Sequence, residues 1–170
     1  MDNVKDIKPK SAFKQPNQLL RNVSGKRFED ATLLAGSDFA TPIVGRGLAA
    51  GDINNDGKVD FAIVDAFGGV HVFQNTHPNS GSWVGVELTG TISPRDATGA
   101  IITVTCAEKR FVRHAHSDGS FMSASDSRVI VGLGKLAGQT DIEVLWPSGT
   151  VQRLNNVQPG QYIKIKEPGR

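Results

Sequence analysis

Hydrophobic positions along the chain come in short runs. Many alternate with polar positions, and almost none repeat at helical spacing. The runs are bounded by Gly, Asn, Asp, Ser or Pro, so they predict strands at Gln18–Asn22, Arg27–Thr32, Gly47–Gly51, Val59–Asp65, Val70–Gln74 and Ser82–Thr89. Six more are predicted at Ile101–Cys106, Arg110–His116, Val129–Val131, Asp141–Trp146, Val151–Leu154 and Tyr162–Lys166. The expected fold class is all-β. The cleanest alternation, Asp141–Trp146, puts Ile142, Val144 and Trp146 on one face. Arg110–His116 puts Val112, His114 and His116 on one face and Phe111, Arg113 and Ala115 on the other. Turn chemistry separates the strands at Asn55-Asp56-Gly57, Phe67-Gly68-Gly69, Ser117-Asp118-Gly119 and Pro147-Ser148-Gly149. The loop-rich stretch Thr76–Ser82 divides an N-terminal unit, residues 17–76, from a C-terminal one, residues 81–167. Residues 1–16 read as a disordered tail.

Composition narrows the function. With 170 residues the chain can bury a core without staples, and its formal net charge of +2 provides no global field for nucleic acid or an anionic membrane. The local basic cluster Lys5, Lys8, Lys10 and Lys14 reads as a solvated tail rather than a nucleic-acid arm. No apolar run approaches the roughly 20 residues of a membrane-spanning helix, and the first residues lack the apolar segment of a secretory signal. A single cysteine, Cys106, excludes an internal disulfide and a thiolate zinc site; its apolar neighbours predict a buried, inert thiol.

The sharpest chemical feature is Asp52-Ile53-Asn54-Asn55-Asp56-Gly57-Lys58-Val59-Asp60. Oxygen-bearing side chains fall at its first, third, fifth and ninth positions, with glycine at the sixth. Ca²⁺ is a hard cation that takes six to eight oxygens, and oxygens alternating along a tight loop can turn toward one centre. Gly57 permits the sharp turn. The candidate ligands are Asp52, Asn54, Asp56, the Lys58 main-chain carbonyl and Asp60, while Ile53 and Val59 can anchor the loop to a core. Three carboxylates gathered without a cation would repel one another. The alternative is an Asx-rich surface turn with its acids in water. The loop is not an EF-hand, because the twelfth position is Ile63 and a strand follows.

Other constellations read as structural. His114 and His116 lack a further ligand nearby, and His71 and His77 are undistinguished. Ser120, Ser123 and Asp118 flank a histidine but lack the G-x-S-x-G elbow of a hydrolase. Among Glu87, Asp96, Glu108, Asp141 and Glu143 nothing selects a catalytic pair, and Gly132-Leu133-Gly134 is too short for a phosphate loop. Arg95 and Asp96, after a Ser-Pro turn, are expected to form a structural ion pair in preference to a ligand contact. Trp146 is expected in the core, and Trp83, beside a Gly/Ser loop, is the better candidate for an exposed aromatic.

Several stretches carry a family resemblance. Residues 15–22, 28–32 and 45–52, the loop that follows, and Asn75 resemble an FG-GAP/VCBS-type repeat, a blade of integrin-α-like β-propellers. Residues 83–90, 93–100, 119–123, 131–134 and 146–149 resemble the ASPIC/UnbV domain found in cartilage acidic protein-like chains. The resemblance implies a propeller-blade-like repeat followed by a compact β-sandwich-like domain. It also implies a Ca²⁺-dependent, non-catalytic binding or adhesion module of extracellular or periplasmic type. This chain carries one such repeat and reads as the tail end of a longer member. A protein or carbohydrate partner is expected, without nucleic-acid binding or membrane insertion. A lone blade exposes apolar faces and strand edges, so a homo-oligomer is expected as well. A lectin-like carbohydrate binder using Trp83 and an uncharacterised hydrolase or biosynthetic accessory protein are the alternative functions.

Overall fold

A computed structural model of the chain describes residues 12–78 and 81–169. It is all-β. The strands are β1 Leu20–Val23, β2 Arg27–Asp30, β3 Gly45–Gly51, β4 Asp60–Asp65, β5 Gly69–Phe73, β6 Ser82–Thr89, β7 Ile101–Cys106, β8 Lys109–His114, β9 Val129–Gly134, β10 Thr140–Leu145, β11 Val151–Val157 and β12 Tyr162–Lys166. Each answers to a predicted run, with ends displaced by at most three residues. Two short 3₁₀ turns, Thr32–Ala35 and Asp38–Ala40, were not foreseen, because single turns leave no repeating apolar stripe. No described helix is long and apolar enough to cross a membrane.

The chain divides into two compact units. One holds the described chain up to Leu48 together with Ala62–Phe73; the other holds Ala49–Phe61 together with the chain from Gln74 onward. The division differs from the one drawn at Thr76–Ser82, since the 52–60 loop groups with the C-terminal strands.

In the first unit, β1 and β2 form a hairpin closed by Ser24 (φ 55°) and Gly25 (φ 69°), both left-handed as its turn requires. Phe39, Ile43, Val44 and Ile63 are buried, with the Phe39 ring edge-on to Phe73 at 5.4 Å. The segment read as a tail is outside the described residues up to Ser11. Beyond it, Gln15 is not tail: it exchanges two 3.0 Å backbone hydrogen bonds with Ile43. Strands β3, β4 and β5 form a sheet in sequence order. Val64, Val70 and Val72 are exposed at 46%, 62% and 60%, which is unusual for valines at strand positions.

The second unit is a sandwich of two sheets, ordered β11-β10-β7-β8 and β12-β6-β9. All pairs are antiparallel except β12 with β6, which run parallel with Tyr162 opposite Gly85. Alternation sends Val84, Val86 and Leu88 from β6, Ile102 and Val104 from β7, Val131 and Leu133 from β9, and Ile142 and Val144 from β10 into one core. Each fully buried valine or isoleucine there contributes about 1.5–3 kcal/mol relative to exposure. Trp146 fills the core as expected, and its indole Nε1 donates to Gln152 Oε1 at 3.0 Å. Cys106 is buried.

A buried carboxylate closes this unit. Glu167, just past β12 and 2% exposed, accepts the backbone N–H groups of Thr91, Ile92 and Ser93 on Oε2, each at 2.8 Å. The Ser93 and Ser148 hydroxyls donate to Oε1 at 2.8 and 2.6 Å. The loop after β6 and the turn between β10 and β11 are thus tied to the end of the chain. Burial pushes this carboxyl up, but the Ser148, Ser93, Ile92 and Thr91 donors outweigh it and hold the group far below the usual carboxylate range.

Candidate metal centre

The 52–60 loop joins β3 to β4, and its two end acids are fully enclosed: Asp52 is 1% exposed and Asp60 0%. Each is satisfied by donors rather than left as a bare charge. Asp52 Oδ1 accepts from Asp56 N (3.1 Å); its Oδ2 accepts from Gly57 N (2.7 Å) and from the Tyr162 hydroxyl (2.8 Å). Asp60 Oδ2 accepts from Ile53 N (2.9 Å) and Oδ1 from Asn75 N (2.7 Å). Asp60 therefore holds the two ends of the loop together.

Between these anchors the polar side chains fold back on consecutive amides. Asp56 N also donates to Asn54 Oδ1 at 3.2 Å, and Lys58 N donates to Asp56 Oδ1 at 2.9 Å. These are Asx-turn bonds, the local chemistry that Asn and Asp supply. The second oxygen of Asp56 is occupied by Asn54 Nδ2 at 3.0 Å and by the Lys58 ammonium at 3.0 Å. Burial raises the Asp56 carboxyl, and the Asn54 and Lys58 contacts together bring it below its ordinary value.

Asp52, Asn54, Asp56 and Lys58 are thus brought together, whereas Asp60 is turned onto two amides at the loop's end. Among the described residues no group of three or more His, Cys, Asp or Glu side chains is arranged to hold a metal. The donor set still suits a hard cation. A carboxylate offers about four lone-pair sites and a carbonyl two. Asp52 Oδ1, Asn54 Oδ1 and Asp56 Oδ1 each have one occupied by a loop amide and one uncommitted. The Lys58 ammonium already occupies a cation's place against Asp56.

The expected apolar anchors do not form. Ile53 and Val59 are 63% and 46% exposed. The loop is seated instead by Tyr162, Arg128 and Trp83. Arg128 Nη2 donates to the Asp52 carbonyl at 2.8 Å and Nη1 to Asn55 Oδ1 at 2.5 Å. Its Nε and Nη2 hold Asp126 Oδ2 at 2.8 and 2.6 Å, and its guanidinium lies 4.4 Å from the Tyr162 ring centroid. Burial raises the Tyr162 hydroxyl above its ordinary range, and the Asp52 carboxylate beside it adds to the shift. Trp83 is not the exposed aromatic expected of it. It is half-buried, edge-on to Tyr162 at 5.2 Å, and it covers Gly57.

The remaining candidates stay apart. His116 Nδ1 is 2.9 Å from Asp118 Oδ1, while the Ser123 hydroxyl donates to the Phe121 carbonyl. His71 lies 3.8 Å from Asp65. Arg95 and Asp96 are both exposed. Asp141 and Glu143 line a shallow polar groove of about 390 Å³ with Thr103, Arg110 and Arg153, and Glu143 is held by Arg153 at 2.8 Å. No curated protein matches the chain. The segment that carries Arg128, Tyr162 and Glu167, residues 90–170, matches the family described as ASPIC and UnbV.

Proposed function

We propose that this protein is a calcium-stabilised, non-catalytic interaction module, in which an FG-GAP/VCBS-type repeat over residues 17–76 accompanies the ASPIC/UnbV domain. The observation that supports calcium binding is that Asp52 Oδ1 and Asn54 Oδ1 share the Asp56 amide and Asp56 Oδ1 takes the Lys58 amide, each oxygen keeping a lone pair to give. These three oxygens and the Lys58 carbonyl would hold the ion, with Asp60 closing the loop behind them. Bound there, Ca²⁺ would neutralise the Asp52 and Asp56 carboxylates. Lys58 must leave Asp56 Oδ2 for both oxygens of that acid to engage, which favours modest affinity, on the order of 10⁻⁴–10⁻³ M as in extracellular modules.

The test is a melting curve of the full chain in calcium and in chelator. At calcium a hundredfold above the dissociation constant the ion adds about 2.7 kcal/mol, a rise in Tm of about 5–10 °C. Asp56→Ala is expected to abolish the rise. An unchanged midpoint in the wild-type chain, or an equal rise in Asp56→Ala, would remove calcium from the account.

A second copy of the chain is the proposed cover for the exposed valines of β4 and β5, since β5 stands at one end of the β3-β4-β5 sheet among the described residues. Light scattering after size exclusion is expected to give a mass of at least twice 18.2 kDa. A clean 18.2 kDa particle at tens of micromolar would exclude self-association there.

A further inference from the structure

We propose that Tyr162 and Arg128 are positioning residues for the cation of the 52–60 loop, and that they couple its binding to the stability of β9 and β12. The proposal rests on the reading of that loop as a calcium site.

Tyr162 opens β12, and Arg128 directly precedes β9. The Tyr162 hydroxyl and Gly57 N both donate to Asp52 Oδ2, which leaves Oδ1 as the oxygen of that carboxylate with room for a metal. Tyr162 thereby makes Asp52 a one-oxygen ligand of fixed direction. Arg128 acts on the backbone. Its forked guanidinium joins the Asp52 carbonyl to the Asn55 side chain, across the bend where Asn55 takes a left-handed φ of 60°. A planar fork holds the two acceptors on separate nitrogens at a fixed spacing, whereas an ammonium presents all its donors from one nitrogen.

The fork is itself fixed. Asp126 binds it through Oδ2, and Asp126 N donates to the Ala50 carbonyl at 2.8 Å. Gly51 admits this approach: a Cβ there would lie 2.9 Å from Asp126 Cβ. The Arg128–Asp126 pair is neutral as a unit, so it orients the loop without opposing a divalent ion. These residues lie outside the proposed ligand set, and loss of such outer partners typically weakens metal affinity about 10–100-fold.

The experiment is a calcium titration of the full chain by calorimetry, with tryptophan fluorescence as a parallel readout because Trp83 covers Gly57. Tyr162→Phe keeps the ring and removes the hydroxyl; Arg128→Lys keeps the charge and removes the fork. Each is expected to raise Kd about tenfold or more. Folding of each variant is checked by circular dichroism in chelator. Calcium is also expected to slow amide exchange in Val129–Gly134 and Tyr162–Lys166 of the wild-type chain, a readout that needs no variant. No calcium heat in the wild-type chain would overturn both the site and its positioning residues. Wild-type binding with both variants within twofold of it, or unchanged exchange in β9 and β12, would overturn the positioning role alone.

Discussion

Glu167→Gln is expected to lower the melting temperature by roughly 10 °C, the largest effect of any single side chain away from the apolar core. The carboxylate receives three N–H groups and two hydroxyls from the loop after β6 and the turn between β10 and β11. An amide in its place keeps one acceptor oxygen for the three N–H groups but turns an NH₂ group toward the Ser93 and Ser148 hydroxyls, which lose their acceptor, and the remaining bonds lose their charge assistance.

The same group sets an acid limb. Its folded-state pKa lies well below the ordinary value of 4.5, so its contribution to stability is fully present above that pH. It is lost as pH falls from there toward the depressed folded value. Denaturant melts at pH 7 and at successively lower pH are expected to show the wild-type and Glu167→Gln curves converging as acid is added. A gap independent of pH would mean that the carboxylate is not the acceptor described.

Gly57→Ala is the second large effect. Gly57 sits at φ +81°, where a Cβ costs about 1–2 kcal/mol. Its Cβ would also fall 2.1–2.3 Å from three atoms of the Trp83 indole, which would have to leave its place beside Tyr162. With overpacking of this kind costing about 1–3 kcal/mol, the total is about 2–5 kcal/mol. Gly149→Ala separates the two causes. Its φ is +86°, but a Cβ there meets nothing within 4 Å, so it carries the conformational cost alone. Denaturant unfolding is expected to rank Gly57→Ala well below Gly149→Ala in stability, with a changed near-ultraviolet Trp signal in the former. Equal losses would show that Trp83 does not cover the loop.

Local chemistry already written in the chain accounts for much of this molecule. Period-two alternation is a property of the strand itself, so it placed Ile142, Val144 and Trp146 together on the face that fills the core; along Arg110–His116 it grouped Phe111, Arg113 and Ala115, of which Phe111 and Ala115 meet the core and Arg113 is exposed. The turn residues of the 52–60 loop act within a few positions of one another, and their hydrogen bonds are those that Asp, Asn and Gly make in any tight bend.

Tertiary structure decided the partners. Tyr162 reaches Asp52 across 110 residues, Arg128 reaches the Asp52 carbonyl across 76, and Thr91 reaches Glu167 across another 76. Separations of that length leave no periodic trace, and neither does the parallel pairing of β12 with β6. Trp83 follows the same rule: its Gly/Ser neighbours suggest exposure, while its seat is the bare backbone of Gly57. The loop groups with the C-terminal strands, whose Tyr162 hydroxyl and neighbouring Arg128 guanidinium both reach Asp52. An enclosed carboxylate is stable only where N–H and O–H groups surround it, and only the folded chain brings those groups together.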